Sequence, residues 1–329
     1  MTNRELVFKA FNSEPVERVP VGFWFHFLPE AETGDALREP ELWTRNLESH
    51  RRFISEFRPD LVKIMSDGFF HYPAAGILEK PEHLKRLENL TPEHPWLVRQ
   101  VELVRAVTSL APDTPFFYNI FSPATTLRFL LGRARLMEWF RLAPREIMAA
   151  LTSMGQGLAL LAGQVIRAGG ADGIYLSVQN PDLTKMTDRQ YAEVIRPSDL
   201  AVLAAANETR NILHICGYDG VRNNLAAFAD YPAQAFSWAV HVEKMSLGQG
   251  RALFGGRTVI GGFPHRSGTL LEVGSQAEVE AFTAGLLAEA GRTGVILGAD
   301  CTLPPGIDLK RLEWVRRAAA LPTAASSPA

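Results

Sequence analysis

The chain has 329 residues, 47% of them hydrophobic and 21% charged, and its 34 basic and 36 acidic side chains leave a formal net charge of -2. That is ordinary globular composition, and it excludes disorder over the whole length. There is no basic footprint or block of like charge for nucleic acid, no run of about 18 apolar residues for a membrane span, and no signal-peptide core in MTNRELVFKAFNSEPVERVP. A cytosolic protein that engages neither nucleic acid nor membrane is therefore expected. The length suits two average domains, or one α/β barrel of about 250 residues with insertions.

In chain order, Asn3 to Phe11 reads as a short amphipathic helix with Leu6, Val7, Ala10 and Phe11 on one face. Val19 to Phe27 (VPVGFWFHF) is a strand candidate, dense in β-branched and aromatic residues. Glu41 to Phe57 reads as helix, and Leu61 to Ser66 as a second strand ending at Asp67-Gly68. A polar helix at Pro81 to Leu87 and a longer one at Pro95 to Leu110 precede a third strand, Phe116 to Phe121. Two or three helices fill Ala124 to Ala168, and Gly169-Gly170 stops them. Gly173 to Val178 is the fourth strand, Asp188 to Glu208 a helix, and Asn211 to Cys216 the fifth strand. Ala235 to Val240 and Thr258 to Phe263 are the sixth and seventh. A helix at Ala277 to Ala290, an eighth strand at Gly294 to Ala299 and a helix at Asp308 to Ala320 close the series.

Eight strands, most of them near-continuous apolar runs, alternate with helices, and that predicts a (β/α)8 TIM barrel with an N-terminal helical extension. The rival is an open doubly wound sheet, but no Gly-x-Gly-x-x-Gly follows the first strand and no phosphate loop appears. No linker divides residues 1–320, which are expected to form one domain. The small polar stretch 321–329 is expected to be a flexible tail.

In a barrel, reactive groups sit at the C-terminal ends of the strands. Those ends carry His26, Asp67, Asn119 with Ser122, Gln179 with Asn180, His214 with Cys216, His241 with Glu243, Gly261-Gly262, and Asp300-Cys301. His214 and Cys216 are two residues apart on a strand, so both side chains point to one face. Cys301 stands three strands later at the same rim. One imidazole and two thiolates make a soft three-ligand set suited to Zn²⁺, with a fourth position left open. The plainer alternative is a pair of small buried cysteines.

His214-x-Cys216-Gly217, followed after 84 intervening residues by Cys301, resembles the His-x-Cys…Cys zinc motif of corrinoid-dependent and cobalamin-independent thiol methyltransferases. The wider chain resembles the uroporphyrinogen decarboxylase superfamily, through Arg4 to Pro20, Ser246 to Gly262 and Gly298 to Pro305. That resemblance implies the same barrel. The arginine-rich loop of true porphyrinogen decarboxylases is replaced here by Gly22-Phe23-Trp24-Phe25-His26-Phe27, which removes the counter-charges for a tetrapyrrole's carboxylates.

The resemblance implies a methyltransferase with zinc on His214, Cys216 and Cys301, moving a methyl group between a corrinoid (cobalamin) and a small thiol or similar acceptor. The usual Asp-x-His-x-x-Gly corrinoid motif is not found, so a corrinoid is expected free or on a separate protein, with this chain a monomer or homodimer. Glu243 or His241 is a candidate fourth ligand or orienter of His214, against the alternative of a solvated loop. Asp300 is a candidate hydrogen-bond partner of a ligand or substrate, or a cap for the last helix. Asp67 could orient substrate or sit in a surface turn. Gly261 and Gly262 could admit a flat cofactor to the backbone or form a plain turn. His26 could line a pocket or pack in the core. The remaining alternatives are a metal-free decarboxylase of the same superfamily and a non-catalytic barrel that binds a small molecule.

Overall fold

The computed structural model describes residues 1–179, 186–217 and 220–320, so the expected tail and Asn180 lie outside the described residues. Seven parallel strands form one sheet in sequence order: β1 (Val62–Ile64), β2 (Phe116–Phe121), β3 (Gly173–Val178), β4 (Ile212–Ile215), β5 (Ala235–Trp238), β6 (Thr258–Phe263) and β7 (Val295–Ala299). The helices are α1 (Asn3–Phe11), α2 (Pro40–Phe57), α3 (Pro95–Thr108), α4 (Pro123–Leu131), α5 (Arg133–Leu142), α6 (Pro144–Arg167), α7 (Asp188–Val194), α8 (Arg196–Ala204), α9 (Val240–Glu243), α10 (Leu247–Leu253), α11 (Leu270–Val273), α12 (Gln276–Ala290) and α13 (Leu309–Ala320). Strands and helices alternate around a curled sheet in the manner of a (β/α)8 barrel.

The segment read as the first strand is the one departure in the sheet. Val19 to Phe27 does not form a strand; it makes isolated parallel bridges, Val21 with Leu297 and Phe25 with Leu303. It still occupies the closing position. The Gly22 N–H donates to Leu297 O at 2.9 Å, the Leu297 N–H to Pro20 O at 2.9 Å, and on the other side the Asp60 N–H reaches Val21 O at 3.2 Å. Pro20 has no N–H, which breaks the ladder. The Asp60 carboxylate, held by Arg18 at 2.5 and 2.6 Å, accepts the Val21 N–H at 2.8 Å in place of a strand carbonyl.

Side chains divide by the period of two. Leu61, Met65, Phe117, Tyr175, Ile212 and Ile260 gather with Trp24 inside the barrel. Ile64, Tyr118, Leu176, Leu213, Phe236 and Val259 face the helices in a separate, larger core. α1 closes the N-terminal end of the barrel. Its Thr2–Glu5 capping box starts the helix. Val7, Ala10 and Phe11 join the interior cluster, Phe11 stacks on Phe117 with centroids 5.6 Å apart, and Thr258 Oγ1 donates to Ala10 O. The open end is therefore the C-terminal rim.

Other departures have local causes. The helix read at Asp188 to Glu208 is two helices, α7 and α8, because Pro197 cannot donate into a continuous ladder. The stretch after β5 turns at once into α9 instead of extending the strand to Val240. Pro81–Arg86 is a 3-10 helix. His50 is fully buried in α2: Nδ1 donates to Asn46 O at 2.9 Å, and Nε2 accepts the Met65 N–H at 3.1 Å. The 24-residue α6 is long and apolar enough to cross a membrane by composition, but more than half of its apolar window is buried against the rest of the fold. At Gly155 a Cβ would stand 3.3 Å from the Ser198 backbone, so α6 and α8 lie close.

Candidate metal centre

Along β4 and just past it, Ile212, His214 and Cys216 alternate inward while Leu213 and Ile215 pack on the helices. His214 and Cys216 are buried, and Cys301, two residues past β7, is partly buried. The ligand atoms of the three lie within 4.8 Å of one another. The two Sγ atoms are 3.7 Å apart, and neither cysteine is in a disulfide. A disulfide needs about 2.05 Å, whereas two thiolates at about 2.3 Å from one tetrahedral ion stand about 3.8 Å apart.

The imidazole is set for the same purpose. His214 opposes Ser237 in the β4–β5 register, and its Nδ1 lies 3.1 Å from Ser237 Oγ. Its Nε2 is buried and has no hydrogen-bond partner, an arrangement that costs free energy unless something else occupies it. Burial lowers the His214 pKa, which keeps the ring in the neutral form a metal requires. The Cys216 S–H and the His214 ring pull the Cys301 thiol down, while that same contact and burial push Cys216 up. The residues present therefore fit a zinc-like ion: an orphaned nitrogen, an easily ionised thiol and a second thiol at the right separation.

The flanking candidates hold the rim in place. Asp300 is fully buried and is no cap for α13; its Oδ2 accepts both the backbone N–H (2.9 Å) and Nδ1 (2.8 Å) of His241. That contact raises the His241 pKa. His241 is half-exposed, and its ring stacks on Phe282. Glu243 is buried in α9, not on a solvated loop, and lies outside the three-ligand group. Its carboxylate takes the Asn223 N–H (3.0 and 3.1 Å) and Nδ2 (2.8 Å), and Asn223 Nδ2 also donates to Cys216 O at 3.0 Å. Glu243 thus braces the backbone of Cys216, and burial raises its pKa.

On the opposite side Asp67 is fully buried, which removes the surface-turn alternative. It accepts His26 Nδ1 at 2.8 Å and the Phe27 and Leu28 N–H groups at 2.7 and 3.3 Å. His26 is not in the core: with Phe27, Arg52, Phe53, Pro305 and Ile307 it lines a cavity of about 210 Å³. Gly261 and Gly262 form no turn; they lie inside β6 with φ of 145° and 109°, opposite Leu297 and Gly298. A Cβ on Gly262 would come within 2.9 Å of Leu286 Cδ1, so packing, not a flat cofactor, fills that side. A Cβ on Gly261 would meet nothing nearer than 3.8 Å, and the nearest atoms include Asp300 Oδ1, which is buried and unpartnered. Ser122 caps α4. Asn119 links Ser66 Oγ (3.0 Å) to Ser177 Oγ (2.8 Å) along the neighbouring strands β1 to β3. Gln179 accepts from Arg128 at 2.5 Å.

The sequence reading missed Lys63. It is buried on β1 between the inward-facing Leu61 and Met65, with Nζ 4.1 Å from the Tyr175 ring centroid and 5.5 Å from that of Trp24. Tyr175 in turn lies against the His214 ring, centroids 5.5 Å apart. Burial lowers the Lys63 pKa to about 8, opposed by the nearby Cys301, Cys216 and Asp67. The available signal was a charge in the middle of an apolar strand, at the parity of its inward residues.

Solved structures that resemble this chain include the following three. A methyltransferase from Methanosarcina mazei superposes with a TM-score of 0.76 at 16% identity, over 97% of this chain and 98% of that one. A B12-independent methionine synthase from Shewanella sp. W3-18-1, in complex with selenomethionine, gives 0.60 at 13% identity over 92% and 97%. A beta-mannanase from the blue mussel Mytilus edulis gives 0.53 at 9% over 91% and 92%. At such identities the likeness is one of fold. No curated protein matches the chain. The uroporphyrinogen decarboxylase (URO-D) family model matches residues 69–320, which include His214, Cys216 and Cys301. With more than three-quarters of its length under that model, the chain belongs to the uroporphyrinogen decarboxylase family.

Proposed function

We propose that this chain is a zinc-dependent methyltransferase that moves a methyl group between a corrinoid and a small thiol or similar acceptor, with zinc held by His214, Cys216 and Cys301. The observation that carries the reading is the orphaned, buried Nε2 of His214 beside two thiols 3.7 Å apart at the open rim. When bound, zinc supplies a positive charge that lowers the pKa of a coordinating thiol, so that the thiolate, the nucleophilic form, persists at neutral pH.

The chain's own residues do the rest. Ser237 holds the His214 ring at Nδ1, and Glu243 with Asn223 fixes the backbone carbonyl of Cys216. Asp300 anchors His241 at the rim. α1 shuts the far end of the barrel and keeps water from entering below the site. The corrinoid arrives free or on a separate protein. Decarboxylation of a porphyrinogen finds no support at residues 22–27, where Trp24 enters the lumen and His26 pairs with Asp67 in place of arginines.

The test is elemental analysis of the purified protein and of Cys216→Ser, together with methyl transfer from methylcobalamin to a small thiol followed by cobalamin absorbance. About one zinc per wild-type chain, lost with activity in the variant, is the expected result. A metal-free wild type after zinc supplementation would overturn it.

A further inference from the structure

Lys63 carries a charge that nothing in the proposed reaction has yet used. It is buried. Among the described residues it has neither an ion-pair nor a hydrogen-bond partner; its ammonium rests on the π faces of Tyr175 and Trp24. An ammonium held away from water without a carboxylate is costly, and such a group persists where it serves a charge that comes and goes.

The carboxylates facing the lumen are hydrogen-bonded to other groups, and none lies within ion-pair distance of Lys63 among the described residues. Asp67 is taken by His26 and two backbone N–H groups, and Asp300 by His241 twice. The three-ligand set is matched as well: two thiolates cancel a divalent ion, and the neutral imidazole adds nothing. Lys63 is left as an ammonium with no direct anionic partner, one aromatic ring away from His214. A neutral ligand in the open position leaves the ammonium without an anion beside it, whereas a monoanion supplies one.

We propose that Lys63 is the counter-charge for a monoanion bound at the His214–Cys216–Cys301 site, a positioning residue that makes the site take a thiolate in preference to a neutral ligand of similar size. The inference rests on the methyltransferase reading above and narrows its acceptor to one that binds as an anion through sulfur.

The experiment uses full-length protein loaded with cobalt(II) and two probes: 2-mercaptoethanol, whose tail is uncharged, and imidazole, a neutral ligand. Binding is read from the thiolate-to-cobalt charge-transfer band and from the ligand-field bands. In Lys63→Met, cobalt stoichiometry should stay at the wild-type value, 2-mercaptoethanol should bind about 30-fold or more weakly, and imidazole should bind as in the wild type. Lys63→Arg should restore thiol binding to within about threefold, which a purely structural role for the stem would not produce. If Lys63→Met does not fold, Lys63→Gln replaces it with the same expectations. Wild-type thiol affinity in Lys63→Met or Lys63→Gln would overturn the counter-charge role while leaving the metal site intact. A wild type that takes up neither cobalt nor zinc would instead overturn the metal reading itself.

Discussion

Ser237 Oγ lies 3.1 Å from Nδ1 of His214, and that single contact decides which nitrogen of the ring faces the two thiols. A ring that binds a metal through its unpartnered Nε2 carries its proton on Nδ1, where the hydroxyl is placed to accept it. Ser237→Ala should leave the fold intact and weaken zinc binding by about 10-fold or more. Competition with a chromogenic chelator measures it, and an unchanged affinity would mean that the ring is oriented by packing against Tyr175 alone.

Cys301→Ser should behave as Cys216→Ser does, losing zinc and methyl transfer together. Zinc should raise the unfolding temperature of the wild type, because it binds the folded site, and should do so far less in either variant. A thermal shift by zinc of equal size in all three proteins would place the metal elsewhere.

His50 sets an acid limit on stability. Its pKa is lowered to about 4 by burial, against about 6.5 when unfolded. Above pH 6.5 the ring is neutral in both states and the contribution is fully present. Between about pH 6.5 and 4 the unfolded chain takes up a proton that the folded one refuses, so stability falls with pH by on the order of 3 kcal/mol. Urea unfolding of metal-free protein at pH 7.5 and 4.5 should show this loss, and His50→Asn should reduce it. Equal pH slopes in the two proteins would contradict the assignment.

His241 works in the opposite direction. Its pKa is raised, first by the hydrogen bond to Asp300. The stability it contributes is present below the unfolded value of about 6.5 and is lost as pH rises through the folded value. NMR titration of the ring in metal-free protein should show a pKa above 6.5 that drops in Asp300→Asn, and a value unmoved by that change would place the cause elsewhere.

Lys63→Met should make the protein harder to unfold while impairing thiol binding, since replacing an unpaired buried ammonium by an apolar chain of similar length removes a desolvation penalty of about 1–3 kcal/mol. Chemical denaturation at pH 7 gives the answer. A less stable Lys63→Met would show that the two aromatic faces compensate the ammonium fully.

Much of this fold is legible in the sequence because each strand is bounded by its own punctuation. β2, β3 and β6 match their apolar runs residue for residue, and α1 matches its four-residue apolar face. The alternation that puts His214 and Cys216 on one face is equally local, and the structure brings Cys301 to them. What stayed hidden depends on partners far along the chain. Val19 to Phe27 looks like a strand by composition, but Pro20 withholds a donor and Asp60 supplies the acceptor from 39 residues beyond Val21. His50 looks like a polar helix residue until the Met65 N–H arrives to meet it. Asp67 reads equally well as a turn residue, and Asp300 as a helix cap, because nothing nearby reveals the histidines they hold. Lys63 was overlooked because the apolar run around it reads as strand, and parity alone marks it as inward.

A barrel stoppered at one end by Phe11 on Phe117 is entered through its opposite rim. On the proposed function, the small acceptor and the far larger corrinoid must share it, and the small one sits deeper. Traffic is then ordered by size: the acceptor enters before the corrinoid docks, and the corrinoid must leave before the methylated product can escape. Product-inhibition kinetics would display this as a compulsory sequence, with the helix at the bottom of the barrel setting the order of events at the top.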